Sequence, residues 1–275
     1  MLSYALTLML CAQAPPDSSQ AFGPRIDLGE AILFFPKDYR LEDGRIDLAM
    51  HLHGAETTVQ SAMTRCGWRG ALLVFNRPGL SAVYTRPFSD PTLFPRLLVK
   101  VEAAAKAEKH HADPKIGRVI VSSFSAGFGG VREMLKSPDI YNRIDGLVLA
   151  DSLYCGYEGP PANHKLEDFK MADFRRFARD AAAGKKILVV SHSSQIPDGY
   201  GSTTETAEDL IAHVGGQPEV VNEDRGDGWK QARRFARGRF LVLGFEGKEG
   251  PDHLRHLRRL GEIWQAMPEL AQPTR

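Results

Sequence analysis

Short apolar runs alternate with stretches of helical spacing along most of the chain. The segment 45–53 (RIDLAMHLH) puts Ile46, Leu48, Met50 and Leu52 on one face and predicts a strand. Apolar runs at 70–75, 118–123, 144–151, 186–191 and 239–245 predict further strands, and 25–36 reads as an early strand or hairpin. Between them, helical spacing runs over 95–110, from the glycines after 126 to 134, and over 165–183, 203–214 and 252–267. In the third of these, Phe169, Phe174 and Phe177 are expected as core anchors. Strands that are apolar nearly throughout and alternate with helices predict an α/β fold. Its sheet is expected to be mostly parallel and covered by helices on both faces. Ligands of such sheets bind beyond the carboxyl ends of the strands. The residues that follow each strand are therefore where chemistry is expected.

Four strand ends carry suggestive residues. The run RVIVSS passes into Ser123-Phe124-Ser125-Ala126-Gly127 and then into a helix. A serine at a sharp strand-to-helix turn is exposed as a nucleophile, and the N–H of the next residue, Ala126, faces the same oxyanion. The strand at 45–53 ends in His53-Gly54-Ala55, a loop whose N–H groups at Gly54 and Ala55 can turn towards an oxyanion. The strand at 144–151 ends in Asp151, placed to orient an imidazole. The last strand is followed by Asp252, His253 and His256; His253, nearer the loop, is the expected general base. Singly, each has an ordinary structural role open to it: a helix cap, a turn glycine, a loop carboxylate, a surface imidazole. Together they read, in chain order, as Ser125, Asp151 and His253 of a catalytic triad.

On these residues the chain resembles the α/β-hydrolase family from about residue 25 onward. SFSAG (123–127) resembles the nucleophile elbow, and His53-Gly54 resembles the oxyanion loop. Two departures stand out. Ser123 occupies a position where glycine is usual, and the usual place for the acid carries Ser194 and Gln195, which cannot ionise. The acid is therefore assigned to Asp151, a family variant, with Asp198 and Glu205 as reserves. The resemblance implies a metal-free serine hydrolase without a cofactor, acting on small-molecule carboxylic esters through an acyl-enzyme. It also implies a single domain over 21–275 with a small lid around 152–185. Within the loops 76–91 and 152–164, Tyr84, Phe88, Tyr154 and Tyr157 are expected either to line an aromatic cleft or to pack against one another.

Composition adds bounds. The 275 residues hold 35 Lys and Arg against 34 Asp and Glu, and a net charge of +1 gives no reason to expect a nucleic-acid partner. The Arg255, Arg258 and Arg259 cluster reads as a solvated helix face. The apolar N-terminal run is too short to cross a bilayer. It ends in Ala12-Gln13-Ala14, so 1–20 is expected to be a signal peptide and linker that export the chain, although no basic residue precedes the run. In an oxidising compartment Cys66 and Cys155 either pair or stay as buried thiols. Two other readings stay open. His51-x-His53, completed by His192, His213 or Asp252, is the pattern of a zinc-dependent hydrolase, and the altered elbow and displaced acid are compatible with a non-catalytic binding protein on the same fold.

Overall fold

The computed structural model describes residues 21–41 and 43–270. The signal-peptide and linker segment expected over 1–20 lies outside the described residues. The chain opens with β1 (Ile26–Asp27), β2 (Ile32–Phe34) and β3 (Arg45–Leu52), followed by α1 (Glu56–Cys66) and β4 (Ala71–Phe75). Next come α2 (Ala82–Phe88), α3 (Leu93–Ala107), β5 (Lys115–Phe124), α4 (Phe128–Lys136), α5 (Pro138–Arg143) and β6 (Gly146–Ala150). The C-terminal part runs through α6 (Asp168–Ala182), β7 (Ile187–His192), α7 (Thr203–His213), β8 (Glu219–Asp224), β9 (Lys230–Arg237) and β10 (Phe240–Phe245). It closes with α8 (Gly250–Arg258) and α9 (Leu260–Gln265).

Among the described residues the strands form one sheet in the order β1-β2-β4-β3-β5-β6-β7-β10-β9-β8. The six from β4 to β10 run parallel, and antiparallel strands close both edges. Alternation along β3 sends Leu48, Met50 and Leu52 to one face and Ala49 to the other. The first face is covered by α3, α4, α6 and α7 through Val101, Val131, Phe174 and Leu210. The second is covered by α1 and α9 through Val59, Met63, Ile263 and Trp264. Cys155 lies in the first layer and Cys66 in the second; both thiols are free, because the sheet stands between them.

Three elements differ from the sequence reading. Residues 82–88 form a helix inside what reads as a loop, and it buries Tyr84 and Phe88 in the core. The hairpin β8–β9 has no apolar alternation because it is a solvated edge. Its partners across the strands are polar, Glu219 opposite Arg234 and Asp224 opposite Lys230, so charge pairing replaces burial. Phe169 is not an anchor. The buried stripe of α6 is Met171, Phe174, Phe177, Ala178 and Ala181, and Phe169 falls outside it, 69% exposed. The lid expected over 152–185 thus divides: 152–167 is loop and a short 3-10 turn, whereas α6 packs on the sheet. No helix among the described residues is long and apolar enough to cross a membrane.

The phase of α6 makes a direct prediction for urea denaturation. Phe177→Ala should cost about 3–5 kcal/mol as a core truncation, and Phe169→Ala should stay within about 0.5 kcal/mol; similar costs for the two would mean the stripe is misassigned.

Candidate active site

Three residues other than glycine hold left-handed backbone immediately after parallel strands. They are His53 after β3, Ser125 after β5 and Asp151 after β6, with φ of 70°, 46° and 44°. Such conformations are sparsely populated by L-residues and collect where a side chain must be aimed. Ser125 sits between the end of β5 and a 3-10 turn (Ser125–Gly127) that leads into α4. The turn is tight enough that a Cβ at Gly127 would come within 2.5 Å of the Leu52 carbonyl oxygen, so only glycine fits there. Ser123, in the place of the usual glycine, is fully buried and its hydroxyl lies 2.7 Å from that of Ser152. Ser152 donates its proton to the Ser125 carbonyl at 2.9 Å, so Ser123 is the donor in the pair. The extra hydroxyl is satisfied and tied to the turn it supports.

A serine held in left-handed backbone at a strand-to-helix turn, in a sheet with this strand order, has the backbone geometry of a nucleophile elbow. The fold is the α/β-hydrolase fold. No protein-family model and no curated protein matches the chain. Among solved structures it is similar to a feruloyl esterase module from Clostridium thermocellum complexed with sinapinate, at 12% identity over 94% of this chain and 95% of that one, TM-score 0.48. It is similar also to a siderophore hydrolase from Aspergillus nidulans, at 10% identity over 98% and 100%, TM-score 0.47. A third is a ferric enterobactin esterase from Salmonella typhimurium, at 12% identity over 87% of this chain but 55% of that one, TM-score 0.48. The fold assignment rests on strand order and the turn at Ser125, not on these likenesses.

Asp151 is completely buried. Its Oδ1 accepts from the Ser193 N–H at 2.9 Å and the Thr203 hydroxyl at 2.5 Å, and its Oδ2 accepts from His253 Nδ1 at 2.7 Å. Burial alone would raise this carboxyl, yet the surrounding histidines and the Thr203 hydroxyl hold it well below the usual carboxylate range. Of those histidines, His256 is itself pushed down to about 4 by burial and is neutral near pH 7. The ionised carboxylate therefore rests on its three hydrogen bonds. Because a carboxylate only accepts, His253 carries its proton on Nδ1, and Nε2 is left as the acceptor. The His253 ring stacks on Phe124 at 4.5 Å, and Phe124 stacks in turn on His53 at 5.9 Å.

His253 and Ser125 line one cavity of about 460 Å³, together with Ala126, Phe128, Tyr154 and Tyr200. No hydrogen bond joins Ser125 to His253 among the described residues. Ala126 stands in the first turn after the strand, where a backbone N–H has no partner within the helix. Gly54 does not supply a free donor: its N–H is taken by Asn76 Oδ1 at 3.1 Å. What requires glycine at 54 is packing, since a Cβ would press on His51, Leu257 and Val59 at 3.0–3.1 Å, and the left-handed residue of that loop is His53. Ala55 is exposed at the N-cap of α1 and lies outside the cavity lining.

The other sequence candidates fall elsewhere. Asp198 is exposed. Glu205 caps α7 with Ser202 and accepts from the Tyr157 hydroxyl, which takes Tyr157 away from the cavity. His256, one turn beyond His253, points into the core, with Nδ1 on the Ser191 hydroxyl at 2.9 Å. The rings of His51 and His53 do not share a face, because the strand ends at Leu52 and His53 turns left-handed. His51 engages Ser122 at 3.0 Å, and His53 engages the Tyr84 hydroxyl at 2.8 Å. His192 contacts Thr204, His213 contacts Arg179, and Asp252 caps α8. Among the described residues no group of His, Cys, Asp or Glu gathers to hold a metal. Thr203, Ser193, Ser152 and Asn76 escaped the sequence reading; Ser193 lies in the run after β7, but nothing local marks its partner.

Buried imidazoles, those of His51, His192 and His256, shape the acid limb of stability. His51 and His256 are pushed down to about 3 and about 4 by burial, so each takes up a proton only on unfolding between those values and about pH 6.5. The unfolded chain binds more protons in that window, so stability falls as pH is lowered, by up to about 1.4 kcal/mol per pH unit for each group. In urea titrations at pH 6.5, 5.5 and 4.5, His256→Gln should remove one such contribution from the slope; an unchanged slope would show that His256 titrates freely in the fold.

Proposed function

We propose that the chain is a serine hydrolase of carboxylic esters, with Ser125 as nucleophile, His253 as base and Asp151 as the group that orients it. The observation that carries this reading is the 2.7 Å bond from His253 Nδ1 to a buried, ionised Asp151, on a ring that lines the same cavity as Ser125. In this mechanism His253 takes the Ser125 proton as Oγ attacks the acyl carbon, and the Ala126 N–H holds the developing oxyanion. His253 then protonates the leaving alcohol, and a water activated by the same ring releases the acid. Serine–imidazole contacts are often long in the unliganded state and tighten when substrate enters, which accommodates the absent Ser125–His253 bond.

The zinc-hydrolase alternative finds no support in the diverging His51 and His53 rings. Against the non-catalytic alternative stands the fit of Ser123, whose hydroxyl is accommodated by Ser152. A fluorophosphonate probe should label wild-type protein and leave Ser125→Ala unlabelled. Asp151→Asn should keep the fold and lose turnover by a factor on the order of 10⁴, while Asp198→Asn and Glu205→Gln keep it. Absence of labelling in well-folded protein, or full turnover by Asp151→Asn, would sink the assignment.

A further inference from the structure

Among the described residues, the cavity that holds Ser125 and His253 contains a cation that forms no ion pair. Two basic residues line it, Arg132 and Lys170, and no carboxylate does. Lys170 is neutralised by Glu167 beside it. Glu133, the other acidic neighbour of Arg132, is paired with Lys136 at 2.7 Å. Among the described residues Arg132 has no ion-pair partner. One Nη donates to the Tyr154 carbonyl at 2.5 Å, the guanidinium lies over the Phe128 ring at 4.8 Å, and Nε is buried without a partner. Burial opposes its charge. A guanidinium held away from water is ordinarily paired, and the fork it presents matches a carboxylate.

Position sharpens the point. Arg132 lies on α4, the helix that follows the turn at Ser125, and both residues line the same cavity. The space between is walled by aromatic rings in contact, Phe128 with Tyr154 at 5.6 Å and Tyr154 with Tyr200 at 5.7 Å. We infer that Arg132 selects esters carrying a carboxylate, seated on its guanidinium while the reacting carbonyl lies at Ser125 and an apolar or aromatic body fills the wall between them. This rests on the serine-hydrolase reading of the same cavity.

The carboxylate can belong to the acyl or to the alcohol part, and two substrate pairs separate these. The first compares the 4-nitrophenyl monoester of glutaric acid with neutral 4-nitrophenyl valerate; the second compares 4-acetoxybenzoate with phenyl acetate. In one pair, wild-type kcat/KM should favour the charged ester by roughly ten- to a hundredfold, the size of one charge-assisted hydrogen-bonded contact. Arg132→Met and Arg132→Gln should each bring that ratio to about one or below, mainly through KM, and Arg132→Lys should restore part of it. A wild-type ratio near one in both pairs overturns the inference whatever the variants do, and so does a preference that survives in a folded Arg132 variant. Calorimetric titration of Ser125→Ala with glutarate and with 4-hydroxybenzoate reads the site without chemistry. Arg132-dependent binding there, with no ester turned over by wild type, would remove the hydrolase reading and keep the anion site. Turnover of neutral esters with no charge preference and no such binding would do the reverse.

Discussion

An ionised carboxylate with no solvent contact is the constraint around which the carboxyl edge of the sheet is arranged. Removing a charge from water costs several kcal/mol unless its oxygens are satisfied. Asp151 meets that condition through donors on three separate pieces of chain: the strand end at Ser193, the first residue of α7 at Thr203, and the first turn of α8 at His253. Its own backbone N–H joins β6 to the Ser191 carbonyl at 2.8 Å. One side chain thus locks β6, β7, α7 and α8 in mutual register. The imidazole orientation on which the proposed chemistry depends is a by-product of satisfying that charge. The neighbouring imidazoles His256 and His192 are buried and held below the ordinary histidine range, so the cluster carries no excess positive charge at neutral pH.

Backbone strain collects along the same edge. Left-handed residues follow β3, β5 and β6, strands adjacent in the sheet, and each such position costs on the order of 1–2 kcal/mol for an L-residue. The surroundings hold all three in place. His53 is tied through its ring to Tyr84 and stacked on Phe124, Ser125 through its carbonyl to Ser152, and Asp151 through its carboxylate. Phe124, the last residue of β5, lies between two of the site's histidines and couples the elbow to the ends of β3 and α8. Serine at 123 fits this scheme. Its hydroxyl reaches Ser152, whose own proton stabilises the turn, so the position gains a bond where a glycine would leave none.

Much of this architecture is written in the sequence. The apolar runs and the strand-to-helix turn are local signals, so a parallel sheet, an elbow at Ser125 and strand-end positions for Asp151 and His253 are all legible from residue order. Periodicity resolves buried elements well because burial is what imposes it. It fails where burial is absent, as at the β8–β9 hairpin, and where phase decides, as at Phe169.

Other features needed the chain to be folded. That Asp151 and not Asp198 or Glu205 faces His253 is a contact between residues 102 positions apart. That Gly54 donates to Asn76, that Ser123 finds Ser152, and that Cys66 and Cys155 lie on opposite sides of the sheet are likewise pairings across distant segments. The isolation of Arg132 is of the same kind, since it depends on where Glu133 and Glu167 find other partners. Residue order sets which groups stand at strand ends, because that depends on neighbours a few positions away. Which of those groups meet, and which charge is left over, is decided only when the strands are laid side by side.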